Sequence, residues 1–158
     1  MAAGLGTVRA ESIRFLESAG TAAGVYSASF EVPDGAVLID VIVHGQALWT
    51  AGTSATMDVG DTATPNGIFV GVNLKATDLL AGESLSMQGL AGGKHGADLA
   101  LDYTSVATIG AQQIKRRRIA GARTVSAKVT TVGTLGVAGI TDVVFVYAYP
   151  SPIKPTFV

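Results

Sequence analysis

Residues 25–44 read VYSASFEVPDGAVLIDVIVH, and their alternation decides the fold class. Tyr26, Ala28, Phe30 and Val32 share one face, while Ser27, Ser29 and Glu31 share the other, the pattern of a half-buried strand. Pro33, Asp34 and Gly35 then turn the chain, because proline presets φ and glycine accepts φ > 0. The next segment repeats the rule. It places Val37, Ile39, Val41 and Val43 inward, and Leu38, Asp40, Ile42 and His44 outward. That second face is mixed, which suits a surface that is covered without being dry.

Working outward, the same period returns along the chain. SATMDV (54–59) aligns Ala55, Met57 and Val59, and IFVGVNL (68–74) aligns Ile68, Val70, Val72 and Leu74. Gly71 in the latter marks a bulge or a close contact. AGESLSMQG (81–89), DLALDY (98–103) and RTVSAKVTT (123–131) follow suit, with Leu85 and Met87, then Leu99, Leu101 and Tyr103, then Val125, Ala127 and Val129. DVVFVYAY (142–149) is apolar on both faces, so it belongs at a sheet centre or beneath a contact between subunits. Eight short strands with turn residues between them predict an all-β chain, a jelly-roll-like antiparallel sandwich.

The predicted sandwich spans 24–149. Residues 1–23 are an N-terminal arm or extra strand, because TVRAESIRFLESAG (7–20) fits neither strand nor helix period cleanly. Residues 104–122 are long for a loop in a compact domain and so are expected to be functional or to hide a short strand. PSPIKPTFV (150–158), with three prolines, reads as an extended C-terminal tail.

Composition narrows the function. Charged residues make up 15% of the 158, against about 25% in ordinary domains. So few charges imply surface that is covered in an assembly. A net charge of −1 argues against nucleic acid as a general partner. The longest apolar run, AVLIDVIVHGQALW (36–49), is too short to span a bilayer and carries Asp40 and His44, so no membrane is expected either. No secretion signal is read at the N-terminus. There is no cysteine for a disulfide or a thiolate metal site.

The candidate chemistry is sparse. His44 would need an orienting carboxylate, and Asp40 on the same strand face lies roughly 13 Å away at about 3.3 Å per residue. His44 is therefore read as a structural or subunit-interface residue, and Trp49 as a packing or subunit anchor. Asp58, Asp61 and Asn66 lack calcium-loop spacing and read as turn residues. GLAGGKHG (89–96) is one residue short of a phosphate loop and has His95 where Ser or Thr belongs. No catalytic, cofactor or metal site is expected, and the chain is read as a non-enzyme. Lys115, Arg116, Arg117 and Arg118 form the one charge run. It is either a solvated loop or a contact for an acidic protein surface, where guanidinium forks pair with carboxylates. Nucleic-acid binding by the run is disfavoured, since no aromatics interleave with the arginines.

VLIDVIVHGQALWTAGTSATMDVGD (37–61), GIFVGVNLKATDLLAGESLS (67–86) and RTVSAKVTTVGTLGVAGITDVVFVYA (123–148) resemble small tailed-bacteriophage virion structural proteins. The likeness covers most of 24–149 and carries no catalytic signature. It implies a capsid decoration (cement) protein on the virion exterior, a homotrimer seated between capsomers with the major capsid protein as partner. Two other readings stand beside it. One is a tail, neck or fibre-base component of the virion. The other is a carbohydrate-binding jelly-roll module using Trp49 and the tyrosines as stacking platforms.

Overall fold

The computed structural model describes residues 7–19, 22–89, 94–99 and 121–149. These form eight strands: β1 (Thr7–Leu16), β2 (Val25–Val32), β3 (Val37–Ala47), β4 (Ser54–Asp61), β5 (Phe69–Asn73), β6 (Ser84–Ser86), β7 (Arg123–Val132) and β8 (Ile140–Tyr149). Two single 3-10 turns, Glu17–Ala19 and Ala97–Leu99, complete the described elements.

The strands make two four-stranded antiparallel sheets, ordered β1-β8-β3-β6 and β2-β7-β4-β5. Pairing couples first with last and works inward: β1 with β8, β2 with β7, β3 with β6, β4 with β5. A long hairpin rolled across two layers gives this order, which is the jelly roll. The charge-poor strand β8 lies between β1 and β3, as its two apolar faces predict.

Between the sheets, Val41 and Val43 of β3, Met57 and Val59 of β4, Val125, Ala127 and Val129 of β7, and Val143 and Phe145 of β8 are fully buried. Each large side chain so enclosed contributes about 1.5–3 kcal/mol relative to exposure. Phe30 of β2 crosses the layer and stacks on Phe145 with centroids 5.8 Å apart.

The alternation fails at two bulges, and each corrects an expected face. In β3, Leu38 pairs with Tyr147 and Asp40 with Val146, which leaves Ile39 as an extra residue. The phase therefore slips: Leu38 is buried, and Val37 sits on the outer face with Asp40, Ile42 and His44. In β5, Val70 and Gly71 together stand opposite Asp58. Gly71 adopts φ +57° and its amide donates to Asp58 Oδ1 at 2.9 Å. The slip turns Phe69 inward and Val70 outward, the reverse of strict alternation.

The expected count of eight strands holds among the described residues, but the identity of one differs. Asp98 and Leu99, expected to open a strand, lie in a 3-10 turn. Among the described residues the eighth strand is β1, in the N-terminal segment read as an arm or an extra strand. Residues 100–120 and 150–158, including the expected C-terminal tail, lie outside the described residues.

Candidate functional site

The two outer faces of the sandwich differ in chemistry. On the sheet β1-β8-β3-β6, the register lines up rows across the strands: Val8, Ala148 and Val37; Ala10, Val146 and Asp40; Ser12, Val144 and Ile42; Arg14, Asp142 and His44. Seven of these twelve side chains are aliphatic. Val8 is 61% exposed, and Val37, Ile42, Val144 and Val146 are half-buried. On the sheet β2-β7-β4-β5, the matching rows read Val25, Thr130 and Thr56; Ser27, Lys128 and Asp58; Ser29, Ser126 and Gly60. Hydroxyls and a Lys128–Asp58 ion pair of 3.6 Å dominate there. The first face is mainly aliphatic and the second mainly polar, although Val25, Val70 and Val132 are exposed on the second sheet.

A polar cluster closes one end of the apolar face. Arg14 of β1 grips Asp142 of β8 through two bonds, Nε to Oδ1 at 2.8 Å and Nη2 to Oδ2 at 3.0 Å. The Gln46 amide also donates to Asp142. The Arg14 bond and charge, with the Gln46 bond, hold the Asp142 carboxyl below its ordinary pKa against the opposing effect of burial. His44, beside Asp142 in the register, engages Ser84 Oγ through Nδ1 at 2.8 Å. Ser84, His44 and Asp142 are the residue types of a hydrolase triad, but the Asp142 carboxylate is committed to Arg14 and Gln46. A base needs its carboxylate on the imidazole.

Trp49 is 2% exposed. Its indole N–H donates to Thr141 Oγ1 at 2.9 Å, and Tyr26 meets it edge-on with centroids 5.3 Å apart. Trp49 is packed within the chain. Lys115, Arg116, Arg117 and Arg118 lie outside the described residues.

The acidic turn residues have separate partners. Asp61 is buried, pairs with Arg123 Nε at 3.0 Å and accepts from the amides of Ala63 and Thr64, each at 2.9 Å. Thr64 Oγ1 also reaches Asp98 Oδ2 at 3.0 Å, tying the Ala97–Leu99 turn to the end of β4. Among the described residues, no group of three or more acidic or imidazole side chains is arranged to hold a metal ion.

Sequence reasoning missed Glu17. It is fully buried just past the end of β1, where its carboxylate accepts from the amides of Thr50, Ala51, Ala138 and Gly139 and from the Thr50 hydroxyl, all within 3.1 Å. Burial alone would raise its pKa, but the Thr50 and Gly139 amides, the Thr50 hydroxyl and the Ala51 amide together hold it below the ordinary carboxylate value. Glu17 thus fastens the β3–β4 and β7–β8 connections to β1. A lone glutamate among small residues gives no pattern from which to foresee this.

No family model matches the chain, and no curated protein does. Solved structures do. The fold is similar to a chain of the cyanophage Pam1 capsid asymmetric unit, with a TM-score of 0.56 and 17% identity over 95% of this chain and 89% of that one. It is also similar to a chain of the capsid of Ralstonia phage GP4, with a TM-score of 0.53 and 19% identity over 91% and 85%. At such identities the likeness establishes the shared fold, across nearly the whole of each chain.

Proposed function

We propose that this chain is a structural, non-enzymatic component of a phage virion, acting as a decoration (cement) protein on the capsid exterior. One observation carries the reading: an aliphatic face on β1-β8-β3-β6 backed by a hydroxyl-rich face on the opposite sheet. A face of valine, isoleucine and alanine beside a polar cluster suits docking onto a protein lattice, while the Ser/Thr face suits solvent. That the similar folds come from two phage capsids supports the virion setting. The major capsid protein is the partner this reading assigns, with Lys115–Arg118 supplying charge contacts and His44 lying at the rim of the docking face.

Such a protein stabilises the shell by mass action, since it binds the assembled lattice and not its dissociated subunits. It works as a homo-oligomer. The resemblance implies three copies. The carbohydrate-binding alternative loses its main platform, because Trp49 is enclosed within the chain.

Adding purified chain to capsids that lack it tests the reading. Regular density on the head exterior by electron cryomicroscopy, with raised resistance of the shell to heat, is expected. Attachment to tails and not to heads would overturn the decoration role.

A further inference from the structure

We infer that three copies of this chain meet about a three-fold axis through one end of the sandwich, where the β7–β8 connection (133–139) crosses from one sheet to the other. The number three rests on the decoration role proposed above, and the surface comes from the fold.

Register fixes which residues share that end. Leu16 faces Ile140, Ile140 faces Ala47, and Val132 faces Ser54, so β1, β3 and β7 finish where β2, β4 and β8 begin. The Gly82 amide donates to the Gly45 carbonyl, which brings the β5–β6 connection to the same end. Six of the eight exposed large hydrophobics among the described residues lie there: Leu16, Val25, Leu80, Val132, Leu135 and Val137. Val137, at 71%, is the most exposed of them. Leu135 and Val137 stand on the crossing connection, with Leu16 beside it on one sheet and Val25 and Val132 on the other. Two of the valines that interrupt the polar face thus belong to this patch.

Charge is scarce on the same surface. The connections 17–24, 48–53 and 133–139 hold one charged residue, Glu17, and it is enclosed. On the β5–β6 connection the charged groups are engaged, Asp78 with Lys94, Lys75 with the Ala51 carbonyl and Glu83 with the Leu80 amide. Copies of the chain itself are the occupant this chemistry selects. Near a three-fold axis each residue meets two copies of itself, where a charge repels its own kind and an aliphatic side chain does not. Interface cores are depleted in charge for the same reason. The patch is also preorganised. Glu17 holds the amides of Thr50, Ala51, Ala138 and Gly139, and the Val137 amide donates to Thr50 Oγ1 at 3.1 Å, so contact costs little ordering.

This end and the docking face can be used together. The polar cluster of Arg14, Asp142, Gln46 and His44 lies between them. Strand ends point along the sheets, whereas the face looks across them. Rotation about an axis perpendicular to the β1-β8-β3-β6 sheet therefore leaves all three aliphatic faces on one side, and the ring closes at three. Leu99, Gly121 and Tyr149 sit at the opposite end, so residues 100–120 and 150–158 join the chain at the rim of the ring.

The test uses the full chain without capsids. Light scattering after size exclusion is expected to give three times the chain mass at micromolar concentration. Val137→Lys is expected to give the mass of one chain. Val8→Lys, at the opposite end, is expected to keep the trimer and to bind capsids more weakly. Both positions are exposed, and circular dichroism checks that each variant folds. As a second arm, Val137→Cys in this cysteine-free chain is expected to react with a maleimide at least tenfold more slowly than Val8→Cys. A parent monomer or dimer, a trimer indifferent to Val137→Lys, or equal labelling of the two cysteine variants would each overturn the proposal. Should Val8→Lys stay trimeric yet bind capsids as the parent does, the axis would stand and the docking face would fall.

Discussion

Glu17 and Gly139 bond to one another twice. The Glu17 amide donates to the Gly139 carbonyl at 2.9 Å, and the Gly139 amide donates to the Glu17 carboxylate at 2.9 Å. The same carboxylate holds Thr50, Ala51 and Ala138, so one side chain secures two connections at one end of the sandwich. Removing it leaves the buried Ala51 and Gly139 amides without an acceptor, each costing about 1–3 kcal/mol. Glu17→Ala is expected to lower the unfolding free energy by roughly 3 kcal/mol or more in urea titrations at neutral pH.

The pH dependence of that loss has a definite sign. The folded-state pKa of Glu17 lies below its ordinary value, so its ionisation contributes stability above the unfolded pKa of about 4.3. The contribution fades as pH falls through the lower folded value. Glu17→Gln, which cannot ionise, is expected to be less stable than the parent at pH 7 and to approach it in acid. Melting curves from pH 7 to pH 2 would show the two converging, and a constant gap would contradict the assignment.

Gly139 also lies against the indole. A Cβ at this position would sit 2.5 Å from Trp49 Cγ. Gly139→Ala is therefore expected to push Trp49 off its Thr141 bond, at about 1–3 kcal/mol for overpacking. Tryptophan fluorescence reads the outcome directly through the single indole. A red shift and raised quenching are expected, and an unchanged spectrum with unchanged stability would show that the ring has room to spare.

The basic run makes a prediction on binding alone. Replacing Arg116, Arg117 and Arg118 together by alanine is expected to reduce occupancy on capsids severalfold, more so as salt is lowered, with little change in melting temperature. Unchanged occupancy at low salt would remove the run from the contact.

How much of this was legible in the sequence depends on where the chain keeps strict alternation. β4 and β7 do, and Ala55, Met57, Val59, Val125, Ala127 and Val129 lie inward as their period predicts. β3 and β5 carry one extra residue each, at Ile39 and at the Val70–Gly71 step; past it Val41, Val43, Val72 and Leu74 lie inward as predicted, and the faces exchange on its N-terminal side, at Val37 and Leu38 and at Phe69 and Val70. Gly71 signalled its bulge. Ile39 could not, because an isoleucine in a bulge looks like any other in a strand. β1 was legible only as one of two readings, an arm or an extra strand, because its first six residues are exposed on both sides and no burial pattern had shaped them. The apolar outer face was visible only in part. Leu38 was assigned to it and proved buried, while Val37 was assigned to the core and proved to lie on it. Glu17 and the Asp61–Arg123 pair join residues distant in sequence, and nothing local announces such partners.

The docking surface is tested most directly by occupancy on capsids of two matched lysine variants. Val146→Lys puts a charge in the middle row of the β1-β8-β3-β6 face, and Thr124→Lys puts one on the outer face of the opposite sheet. Both positions face outward, so each variant is expected to keep its fold, with a stability change below about 1 kcal/mol. Val146→Lys is expected to lose at least tenfold in particle affinity while Thr124→Lys binds as the parent does. Equal binding by both, or loss confined to Thr124→Lys, would contradict an aliphatic face turned toward the shell.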